Sequence, residues 1–317
     1  MSAAVYLDDV CYALGSRKLA VADSVAAGRT RTGAGEFVDA GFRYHHLCDD
    51  DETAYDLARA AVGAIGDRLG DVDAVVYATC IPANANIAPA ARFADSRDVK
   101  HLMDFPASRL QAALGLDRAI VVGVNQQACT GMLGSLRLAR ALIAAEPDIA
   151  RVLCVSADRF PPGALYEQAY SLISDGAAAC VVSRAPGAYR LVGAHHISNG
   201  AMVDAGDDET VGSYFTYTHR LVTELLAKTG LSPADVDWVL PQNTHVKTWQ
   251  ILSRLLRIDA ARVFCASLPD VAHVISGDNL VNLAYLHDAG LARPGDTLLL
   301  VMAGYGMNWQ ALILEKL

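Results

Sequence analysis

The chain predicts an α/β fold built from two copies of one unit, and three observations carry that expectation. Its 317 residues are 53% hydrophobic, ample material for a large core and for one large domain or two ordinary ones. The segment Asp71-Val72-Asp73-Ala74-Val75-Val76 has a counterpart far downstream in Asp235-Val236-Asp237-Trp238-Val239-Leu240. Each copy follows an amphipathic helical pattern, one over 53–69 and the other over 213–229. The correspondence continues past these strands. Cys129 lies eleven residues after Arg118, and His273 lies eleven residues after Arg262. A helical pattern follows each, and then an apolar strand, over 151–156 and 296–301. Helical crossovers between apolar strands imply parallel sheets covered on both faces.

Residues 5–14 read as a strand and turn. The glycine-rich stretch 28–35 is a loop that lacks the strand and helix a phosphate cradle needs. His45-His46 precedes the acidic run 49–52, which reads as a solvated helix start with Asp50 or Asp51 as N-cap. Residues 119–124 form a short apolar strand, followed by the polar elbow Asn125-Gln126-Gln127. Met132, Leu136, Ala139 and Ile143 then recur at helical spacing. Ser174-Asp175-Gly176 is a tight turn into a strand of small residues, with Asp175 bonding turn amides. Residues 199–210 are acidic and loop-like.

Composition narrows the function. A net charge of −9 without a basic stripe argues against nucleic acid. The seven cysteines contain no CxxC pair, so neither a zinc site nor a disulfide framework is expected. No metal or cofactor is anticipated. No apolar run reaches the roughly 18 residues of a membrane helix, and acidic residues stand where a signal peptide is basic. A cytoplasmic protein with no membrane partner is expected.

Cys129 stands where strand gives way to helix. There the free amides and the helix dipole favour a thiolate, although most free cysteines are simply small buried hydrophobes. The repeat puts His273 at the equivalent position of the second copy. Equivalent elements face each other across a pseudo-twofold axis, which is a reason for a nucleophile and a base to meet.

The ordered motifs resemble the thiolase-fold condensing enzymes, and most closely the ketoacyl-ACP synthase III type. Ala128-Cys129-Thr130-Gly131-Met132 is similar to that family's nucleophile stretch, and Ser174-Asp175-Gly176-Ala177 to its Gly-Asp-Gly-Ala turn. Ala40-Gly41-Phe42-Arg43 is similar to an N-terminal Thr-Gly-Ile-Arg. Gly304-Tyr305-Gly306-Met307-Asn308-Trp309 resembles its C-terminal glycine loop. The resemblance implies a duplicated five-layered αβαβα fold, with halves at 1–170 and 171–317, and a homodimer joined at the sheet edge near the nucleophile. It implies acyl capture by Cys129 from an acyl carrier protein or CoA thioester, with an oxyanion hole made by the amides of Cys129 and Gly306.

The chain departs from the family at the usual His/Asn pair. The first position falls in Pro241-Gln242-Asn243-Thr244-His245 and the second in Ala272-His273. His273 becomes the first-choice base, His245 or Asn243 a second donor, and Asp278 an orienting carboxylate in triad fashion. Met132, where the family has Phe, is expected near the acyl pocket. The N-terminal loop lacks the Trp that stacks the CoA adenine in housekeeping members, Phe37 being the nearest aromatic. The leading expectation is an acyltransferase of specialised, polyketide-type metabolism that passes the acyl group to an O-, N- or C-nucleophile. The alternatives are a decarboxylative condensing enzyme and a non-catalytic partner subunit.

Overall fold

The computed structural model describes residues 4–81, 91–99, 103 and 105–317. The first half of the chain contributes β1 (Tyr6–Leu14), β2 (Arg17–Ala20), α1 (Val21–Ala26), α2 (Ala34–Ala40), β3 (Tyr44–Leu47), α3 (Ala54–Gly63), β4 (Ala74–Ala78), α4 (Ala91–Ser96) and α5 (Pro106–Ala113). It continues with β5 (Ile120–Val124), α6 (Gly131–Ala145), β6 (Arg151–Asp158), the small hairpin β7 (Glu167–Gln168) and β8 (Ser171–Leu172), and β9 (Gly176–Ser183). The second half contributes β10 (Tyr189–Ser198), α7 (Asp207–Thr229), β11 (Trp238–Leu240), α8 (Val246–Leu256), α9 (Leu268–Val271), α10 (Asp278–Asp288), β12 (Thr297–Gly304) and β13 (Asn308–Lys316).

Nine strands join in the order β11-β12-β13-β10-β1-β9-β6-β4-β5. Read outward from the β10–β1 junction, the two sides repeat each other. β1, β9, β6 and β4 match β10, β13, β12 and β11. Even the counterpart of β5 survives, as a single parallel bridge between Val239 and Val263. The strand expected over 263–266 is reduced to that bridge. Pairing is parallel between β4 and β6 and between β11 and β12, but antiparallel from β6 to β9 and from β12 to β13. The sheets are therefore mixed rather than wholly parallel; β12 and β13 are joined by a short hairpin, which only antiparallel neighbours allow. β9 lies on the first side, so the pivot falls after residue 183. The expected boundary at 170/171 cuts the β7–β8 hairpin.

Strand alternation sorts the apolar side chains into layers. Val75, Tyr77, Leu153 and Val155 pack outward on Leu57, Ala61 and Leu110 of α3 and α5. Val76, Cys154 and Cys180 face inward, with Leu298, Leu300 and Leu312 opposite, onto Met132, Leu136 and Leu283 of α6 and α10. Leu299, Val301 and Ile313 face outward again onto Leu225 of α7 and Leu252 of α8. Helix, sheet, paired central helices, sheet and helix make five layers. The helical stretch Ala128–Ala145 has a length and mean hydropathy, 1.2, sufficient to cross a membrane, but more than half of it is buried inside the molecule. Its place between the two halves of the sheet explains that composition.

Some local expectations shift. Thr53, not Asp50 or Asp51, caps α3, in a reciprocal capping box with Asp56. The acidic stretch before 210 is partly helix: Asp207, Asp208 and Glu209 form the first turn of α7, where the dipole favours negative charge. His45 is fully buried on β3. Its ring bonds Ser24 Oγ and the Ile173 carbonyl, and burial lowers its pKa to about 4.

Candidate active site

Cys129 occupies a 3-10 turn, Ala128–Thr130, between β5 and α6. The residue before it, Ala128, has φ +43°, and the residue before His273, Ala272, has φ +53°. Left-handed alanine costs on the order of 1–3 kcal/mol, a strain that packing must hold in place at both symmetry-related positions. On the Cys129 side the packing depends on missing side chains. A Cβ on Gly304 would stand 2.7 Å from the Gln127 carbonyl and 2.9 Å from the Cys129 amide nitrogen. A Cβ on Gly134 would overlap Gln127 Oε1, which accepts from Gln310 Nε2 at 2.7 Å.

The His273 backbone is stapled to the β8 end, donating to the Leu172 carbonyl at 3.0 Å and accepting from the Ser174 amide at 2.8 Å. Its Nδ1 lies 2.6 Å from Asp278 Oδ2. Asp278 is fully buried and makes two further bonds, accepting the Val274 amide on Oδ1 at 2.6 Å and the Asn243 amide on Oδ2 at 2.7 Å. A carboxylate on Nδ1 puts the hydrogen there and leaves Nε2 free to act on sulfur. Cys129 is among the neighbours that raise the His273 pKa, and Gln242 Nε2 stands 3.4 Å from His273 Nε2. The Gln242 amide is held by a two-way clamp on Ala303, donating to its carbonyl and accepting from its amide, each at 3.1 Å.

These contacts set the charges. The Cys80 thiol, hydrogen-bonded to the nucleophile, lowers the Cys129 pKa. Burial opposes it, and the hydrogen bond and charge of His273 lower it further, leaving Cys129 well below an ordinary thiol. Burial disfavours a charged His273, but Asp278 and the Cys129 sulfur outweigh burial and raise its pKa. Both shifts favour the thiolate–imidazolium form of the buried pair. Asp158, also fully buried, is pushed up to about 7 by desolvation, despite accepting from Thr79 Oγ1 and the Cys80 and Ile81 amides. It also accepts from Ser276 Oγ at 3.4 Å, which ties the end of β4 to the turn after His273.

A cavity of about 190 Å³ opens onto Cys129, His273 and Gln242, with Tyr214, Phe215 and Trp309 in its walls. The structure brings Cys129, His273 and Asp278 together. Of the other expected site residues, His245 reaches the cavity wall and Met132, Asn243 and Gly306 lie outside it. Met132 is fully buried in the central layer on α6 and is not part of the cavity wall. Asn243 points into a buried amide network, bonding Ser267, the Ala272 carbonyl and Asn282. It supports Asp278 rather than a ligand. His245 lines the cavity, but its Nδ1 accepts the Lys247 amide as the N-cap of α8. Gly306 is exposed in the hairpin turn at φ +73°, and Gly304 is the glycine that packs on the nucleophile backbone. Cys80 and Asp158 did not stand out in the sequence, and Gln242 stood at the family's His position but was given no role of its own. Cys80 and Asp158 end apolar strands, the position at which α/β sheets present functional groups, and that was their available signal.

The duplicated five-layered sheet, with Cys129 and His273 on the turns before the two central helices, is the thiolase fold of the condensing enzymes and acyltransferases. Within that class the chain belongs to the ketoacyl-ACP synthase III family. The family model "3-Oxoacyl-[acyl-carrier-protein (ACP)] synthase III" matches residues 125–200, and its C-terminal counterpart matches residues 226–316. The beta-ketoacyl-[acyl-carrier-protein] synthase III of Oleidesulfovibrio alaskensis is 26% identical over 310 residues, covering 87% of this chain and 88% of its own. That of Rhodospirillum centenum is 28% identical over 305 residues, covering 87% and 88%. Among solved structures, the Pseudomonas aeruginosa 3-oxoacyl-(acyl carrier protein) synthase III superposes with TM-score 0.80 at 22% identity, covering 99% of this chain and 98% of its own. The acyltransferase ChlB3 superposes with TM-score 0.82 at 20% identity and the same coverage. Cerulenin-bound OleA of Xanthomonas campestris superposes with TM-score 0.78 at 16% identity, covering 99% and 97%.

Proposed function

We propose that the chain is an acyltransferase that takes an acyl group from a carrier-protein or CoA thioester onto Cys129 and delivers it to an O-, N- or C-nucleophile. The observation that carries this is the Cys129–His273–Asp278 line, in which Asp278 takes Nδ1 and leaves Nε2 to the sulfur. The thiolate attacks the thioester carbonyl. The tetrahedral oxyanion is stabilised by the Cys129 amide and by the amide of Tyr305, which follows Gly304 and lines the cavity. Collapse expels the carrier thiolate, protonated by His273. An acceptor O–H or N–H then loses its proton to Nε2 and attacks the acyl-Cys129 carbonyl.

Proton shuttling favours this reading over decarboxylative condensation. His273, paired with a buried carboxylate, is built to gain and lose a proton. The neighbouring Gln242 amide is already committed to Ala303 and is a poor second donor for an enolate. The same commitment of functional groups speaks against a non-catalytic partner subunit.

The test is intact-mass analysis with a panel of acyl thioesters. Acyl addition at Cys129, lost in Cys129→Ala, is expected, with no carbon dioxide released from a malonyl thioester. Release of carbon dioxide with formation of a carbon–carbon product would make the condensing alternative correct. The acceptor class and any role in polyketide-type metabolism belong to the same proposal. A homodimer is proposed through β5, the sheet edge, whose Ile120 and Val121 are 45% and 40% exposed.

A further inference from the structure

The cavity that opens onto Cys129 holds more hydrogen-bonding capacity than the acyl-transfer steps use. Three residues of its wall carry hydroxyls shut away from solvent with no hydrogen-bond partner among the described residues: Thr210 Oγ1, Tyr214 Oη and Thr244 Oγ1. Thr210 and Tyr214 are four residues apart on α7 and so share one face. Thr244 lies in the turn into α8, which packs with α7 in the outer apolar layer. Burial raises the Tyr214 pKa and Thr244 only partly offsets it, so the phenol stays neutral and can donate as well as accept. Trp309, also in the wall, has its Nε1 equally buried and unpartnered. Other polar groups there are committed: Gln242 to Ala303, His245 to the Lys247 amide, and Tyr170 Oη to Asp208 at 3.0 Å. Leaving a buried hydroxyl unpaired is costly and rare in native proteins. Four such groups around one reactive cavity are complementary to an acyl group that brings their partner.

We propose that the acyl group loaded on Cys129 is short and bears a neutral oxygen substituent, a hydroxyl or an oxo group, recognised by Thr210, Tyr214 and Thr244. The wall itself restricts the chemistry. The indole N–H can only donate, so it suits an accepting oxygen and not an ammonium. No lysine or arginine lines the cavity among the described residues, which disfavours a carboxylate substituent. Size restricts it further. An apolar cavity of about 150 Å³ admits benzene. The roughly 190 Å³ here therefore suits an acyl group of about six to eight non-hydrogen atoms and not a long alkyl chain. A plain alkyl group leaves the hydroxyls unpaired, whereas an oxygenated one pairs at least one of them. A site that hydrogen-bonds a substrate oxygen rejects the analogue lacking it far more strongly than an apolar pocket rejects one methylene. The inference rests on the acyltransferase reading, since it names the group that Cys129 carries.

The test measures the rate of acylation of the purified chain, by intact mass, with matched pantetheine thioesters. Butyryl is compared with hydroxybutyryl and oxobutyryl, and benzoyl with its hydroxybenzoyl isomers. In the wild type the best oxygenated donor is expected to acylate Cys129 at least about tenfold faster than its plain counterpart. Tyr214→Phe and Thr244→Val remove hydroxyls while keeping shape, and each is expected to lower that ratio. Combined, they should bring it to about one. The ratio is taken within one variant, so general damage to loading cancels. A wild type that loads the plain donors as fast as every oxygenated one overturns the proposal. So does a ratio that survives unchanged in the variants. Acylation of Cys129 without discrimination removes this inference alone, whereas no acylation of Cys129 by any thioester removes the acyltransferase reading as well.

Discussion

The side chain on which the proposed chemistry turns is Cys129, and its neighbours make its titration a measurable property. Its thiol is lowered from 9.0 by the Cys80 hydrogen bond and by His273. The rate of iodoacetamide alkylation at Cys129 should therefore rise with an apparent pKa well below 9, and both Cys80→Ala and His273→Ala should move that midpoint upward. An unmoved midpoint in Cys80→Ala would remove the thiol as a donor. Because His273 is shifted the other way, acyl loading should increase as pH rises through the Cys129 transition and decline only as pH passes the raised His273 value, where the imidazolium is lost. Asp278→Asn keeps the shape but loses the carboxylate that fixes the tautomer, and kcat/KM should fall on the order of 10²-fold or more. Retention of near-normal kcat/KM would mean that Asp278 serves only the turn amides of Val274 and Asn243.

Elements position these groups through close backbone approaches, and glycine is the means. The Gly304→Ala methyl would collide with the Gln127 carbonyl and the Cys129 amide. The variant should fold, with kcat down about 10²-fold, the usual cost of displacing a catalytic group by about 1 Å. Unchanged kcat would show that the nucleophile turn relaxes freely. At the edge of the fold, Thr53→Ala breaks the reciprocal bonds between Thr53 and Asp56 that start α3 and should cost about 1 kcal/mol in chemical denaturation, with acyl loading intact. The repeat made the central strands and helices readable, because Asp-Val-Asp and the apolar run after it mark the same place in both copies. Edges were harder. An apolar run such as 119–124 looks the same whether its faces are covered by helices or left for another chain, and among the described residues β5 is the half-exposed case.

For the molecule as a whole, the unpaired β5 edge offers main-chain groups and exposed Ile120 and Val121 to a second copy. Val121→Lys should convert a dimer into a monomer in light scattering after size exclusion, since edge lysines block strand pairing. A variant that elutes as the wild type would move the interface elsewhere. The palindromic strand order also accounts for the joint strain at Ala128 and Ala272. Each precedes its chemical group on an equivalent turn, and the axis between the halves brings those turns together.

Periodicity, the internal repeat and the ordered family motifs were enough to give the α/β duplication and to single out Cys129, His273 and Asp278, three residues the structure brings together. Those features depend on local spacing or on symmetry, which a linear chain records. The chain could not record which side chains fill the remaining space. Gln242 and His245 are three residues apart, yet the hydrogen bonds to Ala303 turn one toward His273 while the Lys247 amide turns the other into a helix cap. Asn243, between them, goes to the Asp278 support. Met132 lost its place in the pocket because α6 presents it to the central core, and Gly304 rather than Gly306 meets the Cys129 backbone because hairpin register, not glycine spacing, sets which residue packs there. Packing between segments distant in sequence decides such directions, and no pattern within one segment encodes them.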